Sequence, residues 1–421
     1  MKPNSASTAS TSSARPKLNP ALIPILLVQL IGAMGYGIVF PLLPYYGTQL
    51  GATPLINGIL AASYALCAFI AGPILGQLSD KYGRRPILII SLIGTVIGFV
   101  FLGIGGSLFM LFLGRIIDGI TGGNIVVAQA YVNDVVRPEE RTQTFGLMGA
   151  SFGAGFALGP VLGSLLSVYG LSVPMYAAAV LATIAAIVTY FMLPESINKN
   201  APLKTQRTGV LGQFATIAEV FTRKELIPLL LLFTIMTFSM MFFFSSLGQF
   251  MQLQVKVPAN QAGYPAAAFG ISNILFQLVL LRIAVKALGE RSLIPLGFIS
   301  VFICCFGVYL TNSLLLTMGF SLFMSLGMTL LRPAITSLIT QKIDPREGGK
   351  VLGVNSSIDS LAQIVAPIAG GWLIEAFNPG MPSLFAAGFA VIGLAIFFGV
   401  RATLPARANA RPMGVAPVAG R

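Results

Sequence analysis

The chain contains no histidine, and charged residues make up only 9% of its 421 positions. The absence of histidine excludes a histidine-based metal site or proton relay. The three cysteines, Cys67, Cys304 and Cys305, lie inside apolar runs, so they indicate small buried side chains and not a disulfide framework. A glycine-rich loop ending in Gly-Lys-Ser/Thr is also missing, so we expect no nucleotide hydrolysis. The sequence therefore predicts no metal, no cofactor and no enzyme activity.

Apolar residues make up 55% of the chain, whereas a soluble protein carries roughly 25% charged residues. A run of about 20 apolar residues can cross a bilayer, and runs of this length recur along the whole chain. They are continuous and not alternating, which argues against an outer-membrane barrel. The sequence predicts an all-α polytopic membrane protein with twelve transmembrane helices. The twelve runs lie at 20–46, 56–78, 86–105, 108–134, 143–168, 171–193, 227–254, 261–284, 293–311, 314–342, 350–374 and 381–402.

The Lys and Arg residues are distributed unevenly between the connections. Of 26 such residues, 23 fall in alternate connections or in the tails, and only Lys256 falls in the others. This asymmetry explains the net charge of +13 better than a nucleic-acid partner does, and predicts a cell-membrane protein with both termini cytoplasmic. Residues 1–19 are rich in Ser and Thr and contain no acid. They indicate a disordered cytoplasmic tail, with an organellar transit peptide as the alternative.

A connection at 194–226 divides the runs into two sets of six. With an offset of 207 positions, Pro160 aligns with Pro367 and Gly163 with Gly370, so helix 5 repeats as helix 11. Two parallel repeats imply a pseudo-two-fold axis along the membrane normal and a central cavity between two six-helix bundles that rock to give alternating access. The predicted segments are a tail at 1–19, bundles at 20–193 and 227–402, a cytoplasmic loop at 194–226 and a cytoplasmic tail at 403–421.

Three motifs carry a resemblance to a known family. "GQLSDKYGRR" is close to the loop 2–3 motif of the major facilitator superfamily, "GRIIDGITGG" resembles its helix 4 motif, and "GAGFALGPVLGS" resembles its helix 5 antiporter motif. "LLRPAIT" is similar to helix 10 of the quinolone pumps. Over its full length the chain is similar to the twelve-helix drug:proton antiporter branch, which includes tetracycline and quinolone efflux pumps.

The resemblance implies a gate at loop 2–3. In the family the motif's Asp meets the start of helix 11, here near Gly348 to Lys350, and its Arg pairs with an acid at the end of helix 4. The alternative is that the positive charge only sets topology, but topology requires neither the Asp nor the Gly. The gate residues predicted in this way are Gly76, Asp80, Gly83, Arg84, Arg85 and Asp134.

Helix 5 carries small residues at a spacing that lets another helix approach closely. Pro160 removes a backbone hydrogen bond and can kink the helix. Packing is the simplest interpretation, and a role in the rocking interface is the functional one. The antiporter motif residues are Gly155, Gly159, Pro160 and Gly163.

Four charged residues lie well inside the predicted membrane helices, away from the helix ends. Arg115 and Asp118 share a face of helix 4, with Asp118 about 15 Å along it. Such a pair either neutralises itself to steady the bundle or forms a proton or substrate site. Asp359 is a further proton-coupling candidate, and Arg332 either attracts an anionic substrate group or pairs with an acid. The membrane carboxylates that the resemblance would imply are missing. Gly32 and Gly98 stand where tetracycline pumps carry an acid in helices 1 and 3, and Ser245 and Ser246 stand where quinolone pumps carry one in helix 7.

Helix 7 is rich in Met and Phe, which suit a promiscuous apolar pocket, although many of these side chains can simply face lipid. Gln29 and Tyr36 share one face of helix 1. The substrate-cavity candidates are Gln29, Tyr36, Met240, Phe243, Phe244, Gln249 and Arg332.

The predicted function is a monomeric secondary transporter that exports small apolar or cationic organic compounds in exchange for protons. Its partners are the substrate, protons and the bilayer. Three alternatives stay open: a carrier for a specific metabolite such as a sugar, nucleoside or amino-acid derivative without proton coupling, a membrane receptor on the same fold, and an integral membrane enzyme. The last lacks a catalytic constellation in this sequence.

Overall fold

The computed structural model describes residues 22–197, 223, 225–342 and 348–401, and within these ranges the chain is helical throughout with short connections. Twelve helices are long and apolar enough to cross a membrane, which confirms the predicted fold. Both predicted tails and most of the 194–226 loop lie outside the described residues. The helices are α1 Leu22–Gln49, α2 Pro54–Tyr82, α3 Arg84–Ile104, α4 Leu108–Val135, α5 Pro138–Leu166, α6 Ser172–Met192, α7 Ile227–Leu253, α8 Ala259–Leu288, α9 Glu290–Leu310, α10 Leu314–Gln341, α11 Gly348–Ala376 and α12 Met381–Val400.

Two of these helices are interrupted. In α4, Gly122 and Gly123 separate Leu108–Thr121 from Asn124–Val135. The glycine is needed because a Cβ on Gly123 would lie 2.7 Å from the Cβ of Leu75 on α2. In α8, a π-helical turn at Phe276–Leu280 widens the helix. Both interruptions lie in helices that border the space between the halves.

The apolar core forms two clusters in the first half of the molecule (α1–α6) and one continuous cluster in the second half (α7–α12). One cluster of the first half gathers around Ile25, Leu88 and Val132, and another around Leu42 and Leu102. A single cluster fills the second half. The layer between the two clusters of the first half holds the polar side chains that are described below.

The two halves meet on one side of the molecule. We call the side of the turn Gly83–Arg85 the basic side and the other the opposite side. On the opposite side, α1 contacts α7, α2 contacts α11, and α5 contacts α8. The hydrogen bonds are Tyr45 Oη to Val257 O at 2.9 Å, Leu55 N to Glu375 Oε2 at 3.1 Å, Gly263 N to Ser164 Oγ at 2.9 Å and Thr48 Oγ1 to Gln252 Oε1 at 3.3 Å.

The halves separate towards the basic side. A Cβ built on Gly270 of α8 would lie 2.6 Å from Ala157 Cα, so α8 and α5 pack closely at this level. Further along the same face of α5, a Cβ on Gly153, Gly149 or Gly146 would meet no atom of the described residues within 4 Å. Among the described residues, the central space is therefore closed on the opposite side and open on the basic side, as one state of an alternating-access cycle requires.

The sequence repeat has a structural counterpart at its prolines. The carbonyl of Pro160 on α5 lies against Gly263 of α8, and the carbonyl of Pro367 on α11 lies against Gly58 of α2. In each case the carbonyl of a helix proline abuts a glycine of the other half, where a Cβ would collide. The equivalent contacts support the pseudo-two-fold relation between the halves.

Candidate functional site

The basic side carries a charged cluster centred on Arg84. The side chain is buried, with Nε 2.8 Å from Asp134 Oδ2, Nη1 2.6 Å from Ser79 Oγ and Nη2 2.5 Å from Asp80 Oδ1. A buried guanidinium needs such compensation because its desolvation is costly. Arg84, and not Arg85, therefore pairs with Asp134. Gly348 to Lys350 begin α11, but their side chains lie outside the described residues.

Glu195, which follows α6, caps the first turn of α3 and was missed by the sequence analysis. Its Oε1 accepts from Arg84 N at 2.9 Å and its Oε2 accepts from Arg85 N at 3.2 Å. A carboxylate at a helix N-terminus satisfies unpaired N–H groups and the helix dipole. Gly83 is required beside it, because its φ is +113° and a Cβ would lie 2.9 Å from the Glu195 carboxyl carbon. Arg85 packs over the Tyr190 ring, 5.3 Å from its centroid.

The small residues of α5 face two different partners. A Cβ on Gly155 would lie 2.8 Å from the Cβ of Ala33, and one on Gly159 would lie 2.9 Å from Gly37 Cα. Gly163 likewise faces Ile38, so these glycines serve contact with α1 inside the first half. The neighbouring face, which includes Pro160, contacts α8 of the other half. Both faces therefore depend on small residues, and only the second forms the interface between the halves.

Arg115 and Asp118 occupy the polar layer of the first half. Each is 5% exposed, and Arg115 Nη1 lies 3.7 Å from Asp118 Oδ2, which is a loose ion pair. The Arg115 guanidinium also lies over the Tyr64 ring, 4.4 Å from its centroid, and Thr95 of α3 lies beside the Asp118 carboxylate. The pair thus joins α4 to α2 and α3 at mid-helix depth.

Steric crowding explains why α3 carries no acid at position 98. A Cβ on Gly98 of α3 would lie 2.8 Å from both Asp118 Cβ and Gly114 O. The close approach of α3 and α4 therefore excludes a side chain at position 98. The carboxylate at this depth is supplied by α4 instead.

A small pocket lies between the two halves beside this pair. Arg115, Asn57 and Tyr64 line it from the first half, and Ser245 and Gln363 line it from the second. The pocket has a free volume of about 30 Å³ in this conformation, and Tyr36, Phe40 and Met241 also border it.

Aromatic rings lead from the open cleft to this pocket. Phe152, which is 38% exposed, stacks on Phe156 with a centroid separation of 6.4 Å, and Phe156 stacks on Tyr36 at 6.3 Å. The ring centroids of Tyr36 and Tyr64 lie 6.5 Å apart, and the Arg115 guanidinium lies over the Tyr64 ring. Phe244 of α7 packs edge-on against Phe156 at 5.7 Å, so the rings join both halves.

The other cavity candidates are distributed around this region. Phe243 is buried in the core cluster of the second half and packs on Phe244, while Met240 packs at the edge of the same cluster. Gln29 and Gln249 are buried, and Gln249 Oε1 has no hydrogen-bond partner among the described residues. Of the adjacent methionines on α7, Met241 lines the pocket.

Arg332 and Asp359 form a second intramembrane ion pair, in the second half. Arg332 Nη2 lies 2.6 Å from Asp359 Oδ2, and Thr237 Oγ1 donates to Asp359 Oδ1 at 3.2 Å. The Arg332 side chain is half exposed and lies 5.7 Å from the Phe233 ring centroid. Arg332 therefore pairs with an acid, as one of its two sequence interpretations predicted, and joins α10 to α11 and α7.

A polar pocket shared by two helical bundles, closed on one side and open on the other, is the geometry of an alternating-access transporter. A family model described as Major Facilitator Superfamily matches residues 25–310 and 229–420, so the chain belongs to this family. It is accordingly a multi-pass membrane transporter of small molecules and not an enzyme.

Related proteins agree with the resemblance seen in the sequence. The chain is 31% identical over 371 residues to tetracycline resistance protein, class C, of Escherichia coli, covering 84% of this chain and 89% of that protein. It is 28% identical to multidrug resistance protein 2 of Bacillus subtilis (strain 168), covering 87% and 91%. The predicted relation to the drug:proton antiporter branch is confirmed.

A solved structure agrees with the fold. A bacterial homolog of the human lysosomal transporter Spinster, in an inward-facing and occupied conformation, superposes with a TM-score of 0.74 at 16% identity, covering 93% of this chain and 98% of that one. At this identity the likeness extends to the fold alone.

Proposed function

We propose that the chain exports small, largely apolar organic compounds in exchange for protons, and that Asp118 carries the proton. The observation that carries the proposal is the buried Arg115–Asp118 pair beside the pocket between the halves. A charge in the middle of a membrane helix costs about 2.5–3.5 kcal/mol on insertion scales. A loose pair at 3.7 Å compensates this cost only in part, which favours a functional reason for keeping it.

Proton exchange at Asp118 follows from its surroundings. The Arg115 guanidinium lies 3.7 Å from the Asp118 carboxylate and stabilises its charge, whereas Asp118 is only 5% exposed and a buried charge is costly. A movement of Arg115 would change this balance and let the carboxylate take up or release a proton. Asp359 is the less suitable candidate, because its contacts with Arg332 and Thr237 are close and the pair lies partly exposed.

The wall of the site supports an aromatic or apolar substrate. Phe156 and Phe244 from opposite halves meet near the pocket, so a substrate there contacts both bundles. Aromatic rings offer large contact area with few directional requirements. The relatives are named for tetracycline resistance and multidrug resistance, which supports drug export for this chain too. The cationic part of the expectation has less support, because Arg115 and not Asp118 lines the pocket.

Orientation supports export. The basic side carries Lys81, Arg85 and Lys342, so by the positive-inside rule it faces the cytoplasm with both termini. The cleft open on that side would load substrate from the cytoplasm. One chain supplies both halves of the pocket, which is consistent with a working monomer.

Substrate flux in reconstituted vesicles tests this proposal. The purified chain is placed in liposomes with an imposed pH gradient, and tetracycline and a panel of apolar dyes are followed by fluorescence. Flux that depends on the protein and stops when a protonophore collapses the gradient is the expected result. Flux of a specific metabolite that persists after the gradient is collapsed would instead establish the uncoupled carrier.

A further inference from the structure

The side chain of Arg85 takes no part in the charged cluster around Arg84. Its guanidinium donates one hydrogen bond, from Nη2 to Tyr190 O, and lies over the Tyr190 ring, 5.3 Å from the centroid. Among the described residues it has no acidic partner, because Glu195 accepts only from its backbone N–H, and its Nε has no hydrogen-bond partner. The side chain is partly exposed. A guanidinium that leaves most of its N–H donors unused can bind an anion.

An apolar groove begins at this guanidinium and runs between α3 and α6 on the outer face of the first half. Tyr190, on which Arg85 lies, forms its end on the basic side. The groove has a free volume of about 350 Å³. Its residues recur at intervals of about four on each helix, so they form one stripe on α3 and one on α6. Residues of these stripes are Ile89, Ile93 and Ile97 on α3, and Thr183, Ile187 and Phe191 on α6.

The groove suits hydrocarbon better than a polar molecule. Ile93 is 48% exposed and Phe191 is 77% exposed, so the groove opens away from the protein. The Thr183 hydroxyl, at the deep end, donates to Ala179 O of its own helix at 2.8 Å and offers no donor to a ligand. No water is present at this depth of a bilayer. Hydrocarbon fills such a groove, because an empty space would lose the dispersion contacts of its walls.

The groove has the length of one lipid chain. Ile97 follows Arg85 by twelve positions, so it lies about 18 Å further along α3 at the rise of an α-helix. One leaflet contributes about 15 Å of hydrocarbon, which is half of the bilayer core. A lipid whose phosphate lies at Arg85 therefore has an acyl chain that reaches the deep end of the groove near the middle of the membrane.

We propose that this groove binds an anionic phospholipid of the leaflet on the basic side. Its phosphate oxygens accept hydrogen bonds from Arg85, and one acyl chain lies between α3 and α6. Basic groups between membrane helices are suited to anionic headgroups. A second copy of the chain fits the groove less well. A two-fold contact through this face would bring two Arg85 side chains to the same level, and like charges that face each other are unfavourable.

Fluorescence quenching by brominated lipids tests the binding. Trp372→Phe removes the single tryptophan, and Phe191→Trp places a reporter in the groove. The full chain is reconstituted in phosphatidylcholine vesicles in which a fixed fraction is replaced by phosphatidylcholine or phosphatidylglycerol with brominated acyl chains. We expect phosphatidylglycerol to bind at the reporter about fivefold more tightly, a difference of about 1 kcal/mol. Equal quenching would overturn the proposal. A reporter that neither lipid quenches would overturn it in favour of a covering protein, such as a second copy.

Arg85→Gln assigns the headgroup contact. It should abolish the preference for phosphatidylglycerol at the Phe191→Trp reporter, because it removes the positive charge at the end of the groove. Phe398→Trp is the matched control reporter, since Phe398 lies 207 positions later on α12 and is also exposed. Arg85→Gln should leave the lipid preference at that reporter unchanged. A preference that persists at the groove, or that falls equally at both reporters, contradicts the assignment to Arg85.

Two substitutions on α3 separate the groove from general contact with lipid. Ile93 and Ile90 are both exposed, but Ile93 lines the groove and Ile90 does not. The larger ring of Ile93→Phe should lower the quenching of the Phe191→Trp reporter by brominated phosphatidylglycerol, and Ile90→Phe should not. Equal effects of the two substitutions would show that the acyl chain does not occupy the groove.

The unmodified chain gives a second measurement that needs no reporter. In detergent, phosphatidylglycerol should raise the thermal unfolding midpoint more than phosphatidylcholine does, because a ligand that binds the folded state stabilises it. Arg85→Gln should remove the difference between the two lipids. Equal midpoints with the two lipids in the unmodified chain would overturn the proposal even if the reporter variants do not fold.

Discussion

A single guanidinium, that of Arg84, connects segments that lie far apart in the sequence. It holds Asp134 at the end of α4, while its own backbone N–H is capped by Glu195 beyond α6. The sequence motif pointed to Arg84 and Asp134, because the family resemblance includes both. Glu195 could not be found in this way, since 111 positions separate it from Arg84 and no local pattern links them.

Glu195→Gln should destabilise the protein by about 1 kcal/mol, because the amide retains an acceptor but loses the charge that favours the α3 N-terminus. The thermal unfolding midpoint in detergent measures the effect. Glu140→Gln is the matched control, because Glu140 pairs with Arg137 at the surface, where such pairs contribute about 0–1 kcal/mol. A control that loses more stability than Glu195→Gln would contradict the capping role.

At the scale of the helices, the sequence predicted their number and order but not their rotation. Helix α7 is apolar on all sides, so no periodic signal distinguished Met240 from Met241, and the structure places Met241 at the pocket. Tyr64 and Asn57 were missed for a related reason, because α2 carries no pattern that marks one face as functional. Arg115 and Asp118 were found because a charge in an apolar run is conspicuous.

The two faces of α5 give a test at this scale. Gly155→Ala should lower the unfolding midpoint, because the new methyl group would lie 2.8 Å from Ala33 Cβ and force α1 away from α5. Gly153→Ala, two residues earlier, meets nothing within 4 Å. It should be neutral or stabilising by up to about 1 kcal/mol through helix propensity. If both substitutions lower the midpoint equally, the assignment of the Gly155 face to α1 contact is wrong.

At the scale of the whole molecule, the halves are joined through contacts that differ in kind on the two sides. Backbone and side-chain hydrogen bonds close the opposite side, whereas the described residues of α5 that face α8 are open near the basic side. A rocking motion of the two halves would open the opposite side and close the basic side, with the layer that holds Arg115 and Asp118 between them. The proposed coupling therefore places the proton site at the level where the halves pivot.

The central claim is that substrate movement drives a proton through Asp118, and one measurement tests it directly. Vesicles containing the chain and an internal pH-sensitive dye receive a tetracycline gradient with no imposed pH difference. The account predicts a protein-dependent pH change opposite to substrate flux, lost in Asp118→Asn and retained in Asp359→Asn. An unchanged proton signal in a folded Asp118→Asn variant would contradict it.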